Sequence, residues 1–428
     1  MRVFYSLAWW FALPIVLLRL WVRGRQEPGY RRHIPERLGF YPNVGLQKRL
    51  WVHAVSAGET RAAEPLIRAL LVRYPQHQIL LTHMTPIGRE TGRILFADQP
   101  RRVIQSFIPY DVPFFIQRFL KHFAPQICIL IETEVWPNLV AECHDAHIPV
   151  VLVNARLSEK SLNKAFKMPG LILPAAQAVS AVAAQSGPDA VRLKKLGVER
   201  IRVTGNMKFD VAPPAEMAHR GARLREAIGT RPMFICASTR DGEEALIINA
   251  YMKLRLPRGL LVITPRHPQR FDEVADLLTA QNIHFVRRSS LNLDDPTIKL
   301  DPQVQVLLGD SMGEMYMYYA ACDVAFIGGS LVPLGGHNLI EACAMGKPVL
   351  TGPHTFNFSE ITNQAIIAEA AIRAANAEQI MVLAQNLLVK PSFRLNMGRN
   401  ALAFFQQHQG ATARTMALLE HHIKDSVK

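Results

Sequence analysis

The sequence predicts an α/β chain of two doubly wound parallel sheets behind an N-terminal apolar helix. Three observations carry that expectation. Short β-branched runs alternate with segments of helical period along most of the chain; the alternation breaks at "FDVAPPAEMAHRG" (209–221), where two prolines adjoin; and residues 3–22 are apolar apart from Ser6 and Arg19. Strands that alternate with helices pair in parallel, and cover on both faces turns them into continuous apolar runs rather than alternating ones.

The first element is "VFYSLAWWFALPIVLLRLWV". A signal peptide would place basic residues before a shorter apolar core, whereas here they follow it, so this is a retained anchor. Twenty residues just span a bilayer, with Trp9, Trp10 and Trp21 suited to the interface, and a spanning helix is the favoured reading; Pro14 and the short length also allow a helix lying in the interface plane. Residues 1–50 hold nine Lys and Arg against two Glu, so half of the chain's net charge of +14 lies beside this helix. Such a cluster suits an anionic inner leaflet and keeps the body on the cytoplasmic side.

The first sheet follows, in the runs 50–55, 78–84, 102–108, 126–132, 149–155, 178–184 and 200–205. The proline-bearing stretch 209–221 reads as an interdomain linker. A second sheet follows in 233–239, 259–265, 283–288, 304–310, 323–329 and 347–353, with a loop over 289–303 and helices from about 376 to 425. The expected organisation is therefore an anchor over 1–22, a first domain over 23–209 and a second over 210–428 that includes the terminal helices. Two such domains imply a cleft, with ligands outside the carboxyl ends of the strands.

Composition excludes several classes. The 49% hydrophobic content rules out a disordered chain, and the five cysteines lack the spacing of a zinc site or a disulfide framework, which fits reduced, buried thiols. No G-x-x-x-x-G-K-[ST] phosphate loop is present, and no strand end supplies Asp-x-Asp, since Asp294-Asp295 falls in a polar loop. No divalent cation holding a diphosphate, no other metal and no cofactor is expected. The basic residues do not interleave with aromatics as single-strand binders require, so no nucleic-acid partner is expected.

Chemistry should sit at strand ends. "HAVSAGE" closes the first strand with Ser56-Ala57-Gly58-Glu59, the Ser-x-x-Glu spacing of a capping box, which explains the spacing without any catalysis. "ICILIETEV" places Glu132 and Glu134 at another strand end, where the plain alternative is two solvated loop acids. "TGNMKFD" offers Lys208, "ASTRDGEE" offers Ser238 before a helix, and "TPRHPQRF" offers Pro265 and Arg266. "GDSMGEM" brings Met312, Gly313 and Glu314 to a helix start. In "GGSLVPLGGHNLIEACAMGKPVLTGP" a glycine-rich turn feeds another helix through Asn338, Leu339, Ile340 and Glu341. There Gly335 and Gly336 let backbone N–H groups approach a ligand, a helix N-terminus favours phosphate, and a carboxylate at 341 could accept from both hydroxyls of a ribose. A surface acid in a first helical turn is the equal alternative for Glu341.

These motifs, with "ERLG" (36–39), "ETEVWPNL" (132–139) and "PRHPQRF" (265–271), resemble the Kdo transferase family in order and over nearly the whole chain. The resemblance implies a GT-B type fold of two Rossmann-like domains and transfer of 3-deoxy-D-manno-octulosonic acid (Kdo) from CMP-Kdo to a lipid A precursor, lipid IVA, at the bacterial inner membrane. It also implies that Glu59 is the general base of an inverting transfer, with Ser56 left as a cap. The donor would be held by Pro265, Arg266, Met312, Gly313, Glu314 and the Asn338–Glu341 turn, and Glu132, Glu134, Lys208 and Ser238 would face the cleft. A monophosphate leaving group needs less neutralisation than a diphosphate, which agrees with the missing Asp-x-Asp. Two other readings compete: a related two-domain glycosyltransferase or epimerase using a UDP-sugar, and a basic membrane-binding protein without catalysis.

Overall fold

The structure, a computed structural model, describes residues 1–25, 27–43, 45, 47–133, 135–254 and 259–423. The chain divides into two units, Met1–Val211 with His408–Lys428, and Ala212–Gln407.

The first unit is built on a seven-stranded parallel sheet in the order β3-β2-β1-β4-β5-β6-β7. Its strands are β1 (Arg49–His53), β2 (Gln78–His83), β3 (Val103–Phe107), β4 (Pro125–Ile131), β5 (Val150–Ala155), β6 (Ala181–Ala184) and β7 (Ile201–Val203). Every residue of β1 is buried, as a strand covered on both faces requires. Leu50 and Val52 pack with Ala63, Leu66 and Ile67 of the Ala57–Arg73 helix. Trp51 points the other way, against Phe119 at 4.5 Å between ring centroids. The order reverses between β1 and β4, so the carboxyl ends of those two strands flank the topological switch point.

The second unit repeats the plan in the order β10-β11-β9-β8-β12-β13-β14. These strands are β8 (Met233–Thr239), β9 (Leu260–Pro265), β10 (Phe285–Arg287), β11 (Val306–Leu308), β12 (Val324–Ile327), β13 (Val349–Thr351) and β14 (Ala371–Arg373). Its switch point lies between β8 and β12. The three-residue β14 is an edge strand that the sequence reading does not foresee.

Two assignments differ from expectation. The stretch read as a linker becomes a helix at Ala215, directly after Pro214, because proline is well suited to precede a helix but not to continue one. The last segment belongs to the first unit rather than the second. There Ala411, Leu419 and Ile423 are buried with Leu66 and Leu70, the Asp210 carboxylate accepts the Gly410 and Thr412 N–H groups at 2.6 and 2.5 Å, and Arg414 Nε donates to the Thr204 carbonyl at 2.8 Å. All five cysteines are free and buried.

The N-terminal helix runs from Arg2 to Arg23 and continues unbroken through Pro14. Residues at 5, 6, 9, 12, 13, 16, 17 and 20 are shielded while the rest stand exposed, a stripe of helical period that faces the first unit. Trp9 stacks on Tyr110 with centroids 5.6 Å apart, and Leu20 is buried with Tyr30, Val112 and Phe115. Val3, Phe4, Leu7, Phe11, Ile15, Leu18 and Val22 form the opposite, exposed apolar face.

Candidate active site

In the first unit β1 ends at His53, and the chain turns through Ser56 into the Ala57–Arg73 helix. The Ser56 cap is formed, but the Glu59 carboxylate reaches back to the N–H of Val55, one residue before the N-cap, rather than to that of Ser56 as in a full capping box. Glu59 Oε2 accepts the Val55 N–H at 2.6 Å, Oε1 accepts the Ser56 hydroxyl at 3.2 Å, and Ser56 Oγ accepts the Glu59 N–H at 3.4 Å. The carboxylate is half-buried. These contacts fix the direction of the carboxylate.

Beneath this turn lie two buried histidines that the sequence does not single out. The Thr82 hydroxyl takes the Trp51 Nε1–H at 2.8 Å and sits 2.9 Å from His53 Nδ1. His83 Nδ1 lies 3.0 Å from the Ala54 carbonyl, and the Gln105 amide, with its NH2 toward His83 Nε2 at 2.9 Å, completes that ring's bonding as a neutral tautomer. Burial pushes His53 down to about 3 and His83 down to about 4. Both rings are therefore neutral and stiffen the floor of the Ser56–Glu59 turn.

A pH dependence of stability follows from these shifts. Between their ordinary value of 6.5 and about 4 the unfolded chain binds protons that folded His53 and His83 refuse, so stability falls as pH drops through that window. Asp111, pushed up to about 6 by burial, acts in the opposite sense above its ordinary 3.8. Burial also pushes His422 of the first unit down, so the histidines outweigh Asp111 and the first unit should lose stability on the order of 1 kcal/mol per pH unit. The thermal midpoint should be lower at pH 4.5 than at pH 6.5, and an equal or higher midpoint would contradict the argument.

On the other side of the switch point β4 ends at Ile131 and Glu132 adopts φ 64°. A left-handed glutamate is strained, and its surroundings hold it there: its N–H donates to the Val153 carbonyl at 3.0 Å, and its Oε1 takes Lys208 Nζ at 2.6 Å. Lys208 lies in the Met207–Asp210 turn, which Asn206 caps and which Asn154, also left-handed at φ 52°, ties down by accepting the Met207 N–H at 3.0 Å. Two strand-end residues of the sequence reading, Glu132 and Lys208, thus meet as one ion pair. Glu134 lies outside the described residues.

In the second unit the expected residues gather along the carboxyl edge of four adjacent strands, β11, β9, β8 and β12. Ser238 sits in a bulge of β8 at φ 55°, its N–H donating to Thr264 Oγ1 at 3.2 Å, and the exposed Arg266 after β9 is fixed through its N–H to the Thr239 carbonyl at 2.9 Å. Gly313 (φ 82°) makes the turn after β11 and leaves Met312 exposed. Glu314 does not offer a free carboxylate: Arg220 and Arg288 hold its Oε1 at 2.7 and 3.0 Å, and Ser311 bonds its Oε2. In the glycine-rich segment Gly335 and Gly336 take φ 91° and 75°, and a Cβ on Gly335 would meet Asn357 Nδ2 at 2.3 Å. Asn338 Oδ1 accepts the Ile340 N–H at 3.1 Å, the Leu339 and Ile340 side chains are core, and Glu341 is half-buried in the first turn of the helix.

That helix, Ile340–Ala344, is only five residues long, so its dipole is a weak source of anion attraction. Full charges outweigh it. Burial pushes the His337 imidazole down to about 4, and the charges of Arg266, Arg240 and His267 act on it in the same direction. The electropositive corner therefore consists of Arg266, foreseen, with Arg240, which stands inside the quoted "ASTRDGEE" but is not singled out. His337 contributes a neutral ring whose Nε2 is buried without a partner.

A fully buried carboxylate shapes this corner from beneath. Glu243 accepts the backbone N–H groups of Gly329, Ser330 and Leu331 at 2.6, 2.9 and 2.8 Å and that of Arg240 at 2.9 Å. It locks the turn after β12 to the turn after β8 across the switch point.

The family described as 3-deoxy-D-manno-octulosonic-acid transferase (kdotransferase) matches residues 32–211. The chain is 43% identical over 430 residues to the 3-deoxy-D-manno-octulosonic acid transferase of Bordetella pertussis, covering 98% of this chain and 99% of that one. It is 36% identical to the enzyme of the same name from Haemophilus influenzae, over the full length of both. Among solved structures it is similar to the UDP-GlcNAc 2-epimerase of Neisseria meningitidis bound to UDP-GlcNAc, with a TM-score of 0.60 and 14% identity over 87% of this chain and all of the other. It is equally similar to a glycosyltransferase from Rickettsia africae, with a TM-score of 0.60 and 13% identity over 89% of this chain and all of the other. These two likenesses concern the fold, which is that of GT-B glycosyltransferases and epimerases.

Proposed function

Because the chain belongs to the 3-deoxy-D-manno-octulosonic-acid transferase family and is a glycosyltransferase, we propose that it moves Kdo from CMP-Kdo to a hydroxyl of a lipid A precursor, lipid IVA, with inversion and without a metal. The observation that carries this reading is the ordered Glu59 carboxylate at the switch point of the first unit; the second unit, taken by itself, carries a cationic, glycine-turned corner at the carboxyl ends of its own strands.

In this reading the acceptor hydroxyl attacks the anomeric carbon of Kdo as the bond to the CMP phosphate breaks. The proton passes to Glu59, the electron pair leaves with the phosphate oxygen, and attack opposite to departure inverts the centre. Glu59 suits the role because the Val55 N–H and the Ser56 hydroxyl hold it in one direction. Arg266 and Arg240 meet the phosphate and the Kdo carboxylate, two anions that full positive charges serve without a divalent cation. Pro265, the Met312–Gly313 turn and the Asn338–Glu341 turn hold cytidine, with Glu341 on the ribose. Glu132 and Lys208 form the acceptor side.

The N-terminal helix holds the body to the inner membrane, its exposed apolar face in lipid and Arg19, Arg23, Arg25, Arg31 and Arg32 at anionic headgroups, with the catalytic body on the cytoplasmic side. Contacts to the first unit along the whole helix favour a helix lying in the interface over one that crosses it.

The test is donor binding. CMP should bind and UDP should not displace it, and Glu341→Ala should weaken CMP by about 1.5–3 kcal/mol for each lost charge-assisted bond. Calorimetry giving the variant wild-type affinity removes the ribose assignment; displacement by UDP favours a UDP-sugar enzyme.

A further inference from the structure

The N-terminal helix makes polar contacts that membrane attachment does not require. Tyr5 Oη donates to Asp111 Oδ2 at 3.0 Å, and the Ser6 hydroxyl shares its proton between the Arg2 carbonyl at 2.9 Å and Asn138 Oδ1 at 3.1 Å. Asp111 and Asn138 are fully buried. A tether needs an apolar face and a basic flank, and the helix has both without these hydroxyls.

These two buried residues form one node. Asp111 accepts the Asn138 N–H through Oδ2 at 3.1 Å and the Leu139 N–H through Oδ1 at 2.8 Å, while Asn138 Nδ2 donates to the Asp111 carbonyl at 2.7 Å. Asn138 and Leu139 open the Pro137–Asp145 helix, whose own N-cap residue, Trp136, provides no side-chain cap. Asp111 is therefore the cap of that helix, supplied from a distant loop. The same helix begins where the segment from Glu132 ends. Glu132 is left-handed and bonded to Lys208, and Trp136 sets its ring edge-on to His53 of β1, with centroids 6.1 Å apart. A line of contacts thus runs from the N-terminal helix, through Asp111 and Asn138, to the start of the Pro137–Asp145 helix, where the adjoining Trp136 rests against His53 of β1.

We propose that Asp111 and Asn138 are positioning residues that couple the seating of the N-terminal helix to the placement of Glu132 and Trp136, the described ends of the loop after β4, so that the helix is a strut of the acceptor side as well as a membrane tether. The inference rests on the reading above that this loop serves the acceptor. Asp111 takes three donors, one from the N-terminal helix and two from the helix that follows the loop. Unseating the first frees the carboxylate to shift and loosens the second.

The test uses the full chain with Tyr5→Phe and Ser6→Ala combined, which removes both hydroxyls and keeps the apolar faces. Flotation with vesicles containing anionic phospholipid, CMP binding stoichiometry and donor KM should match wild type. With acceptor dispersed in detergent, kcat should fall roughly tenfold, the scale of a small misplacement of a reacting group. Amide exchange at Asn138 and Leu139 should quicken, and Ser6→Thr, which keeps a hydroxyl, should retain both kcat and protection. Wild-type kcat with unchanged exchange in the double variant overturns the inference. Glu132→Gln in the same assay separates it from the reading beneath: a lowered kcat there with an unaffected double variant leaves the reading standing and the strut refuted. An unaffected Glu132→Gln removes the loop from the acceptor side and the inference with it.

Discussion

Glu59→Gln should lower turnover by roughly 10²–10⁴-fold, the usual range for loss of a positioned general base. The substitution separates the cap that the hydrogen bonds show from the base role proposed for the same residue. As a cap it is nearly silent: a glutamine at this position accepts the Val55 N–H through its oxygen, donates to Ser56 Oγ through its nitrogen, and changes helix stability by at most about 1 kcal/mol. As a base it is disabling, because the amide cannot take the proton of the attacking hydroxyl. CMP affinity and thermal midpoint should stay near wild type, since the residues proposed to hold the donor belong to the second unit. A variant that transfers Kdo at a near-normal rate would reduce Glu59 to the capping role that its hydrogen bonds already satisfy.

Glu243→Ala should have the largest effect on stability. It removes the acceptor of four backbone N–H groups and leaves those of the buried Gly329 and Ser330 without a partner. At about 1–3 kcal/mol for each orphaned donor the second unit should lose roughly 3–5 kcal/mol. That corresponds to a fall in thermal midpoint on the order of 10 °C for a unit of this size. CMP affinity should fall too, because the turn after β12 and the turn that carries Arg240 are no longer joined. Glu243→Gln keeps one acceptor oxygen but aims an NH2 at backbone donors, so it should recover only part of either loss. Wild-type midpoint and CMP affinity in the alanine variant would contradict this role.

Much of the fold is legible in the sequence because both sheets are covered on both faces, and a buried parallel strand such as "ICILI" can hardly be read otherwise. The short edge strand Ala371–Arg373 is not, since three residues give no period. Nor is the return of the last segment to the first unit. An amphipathic helix announces that one face is buried but not against which sheet, and the decisive contacts, Asp210 to Gly410 and Thr412, join residues far apart in sequence.

The candidate site divides in the same way. Glu59, Arg266 and the glycine turn stand out because their local motif implies their geometry. Three other features do not. The left-handed backbones of Glu132 and Ser238 leave no trace in residue type, whereas that of Asn154 falls on the side-chain type that, after glycine, takes this conformation most readily. Glu243 and Glu244 look like a solvated pair at a helix start and are both fully buried. Glu314, by contrast, looks like a ligand contact in its turn, yet Arg220 and Arg288 engage it, and neither lies near it in sequence.

The most direct test is transfer itself. Purified protein incubated with CMP-Kdo and a tetra-acylated disaccharide lipid in excess EDTA should yield, by mass spectrometry, a lipid heavier by at least one Kdo residue, with stoichiometric release of CMP. CMP release without a glycosylated lipid, or activity abolished by EDTA and restored by Mg²⁺, would contradict a metal-independent Kdo transfer carried out by Glu59 and the cationic corner.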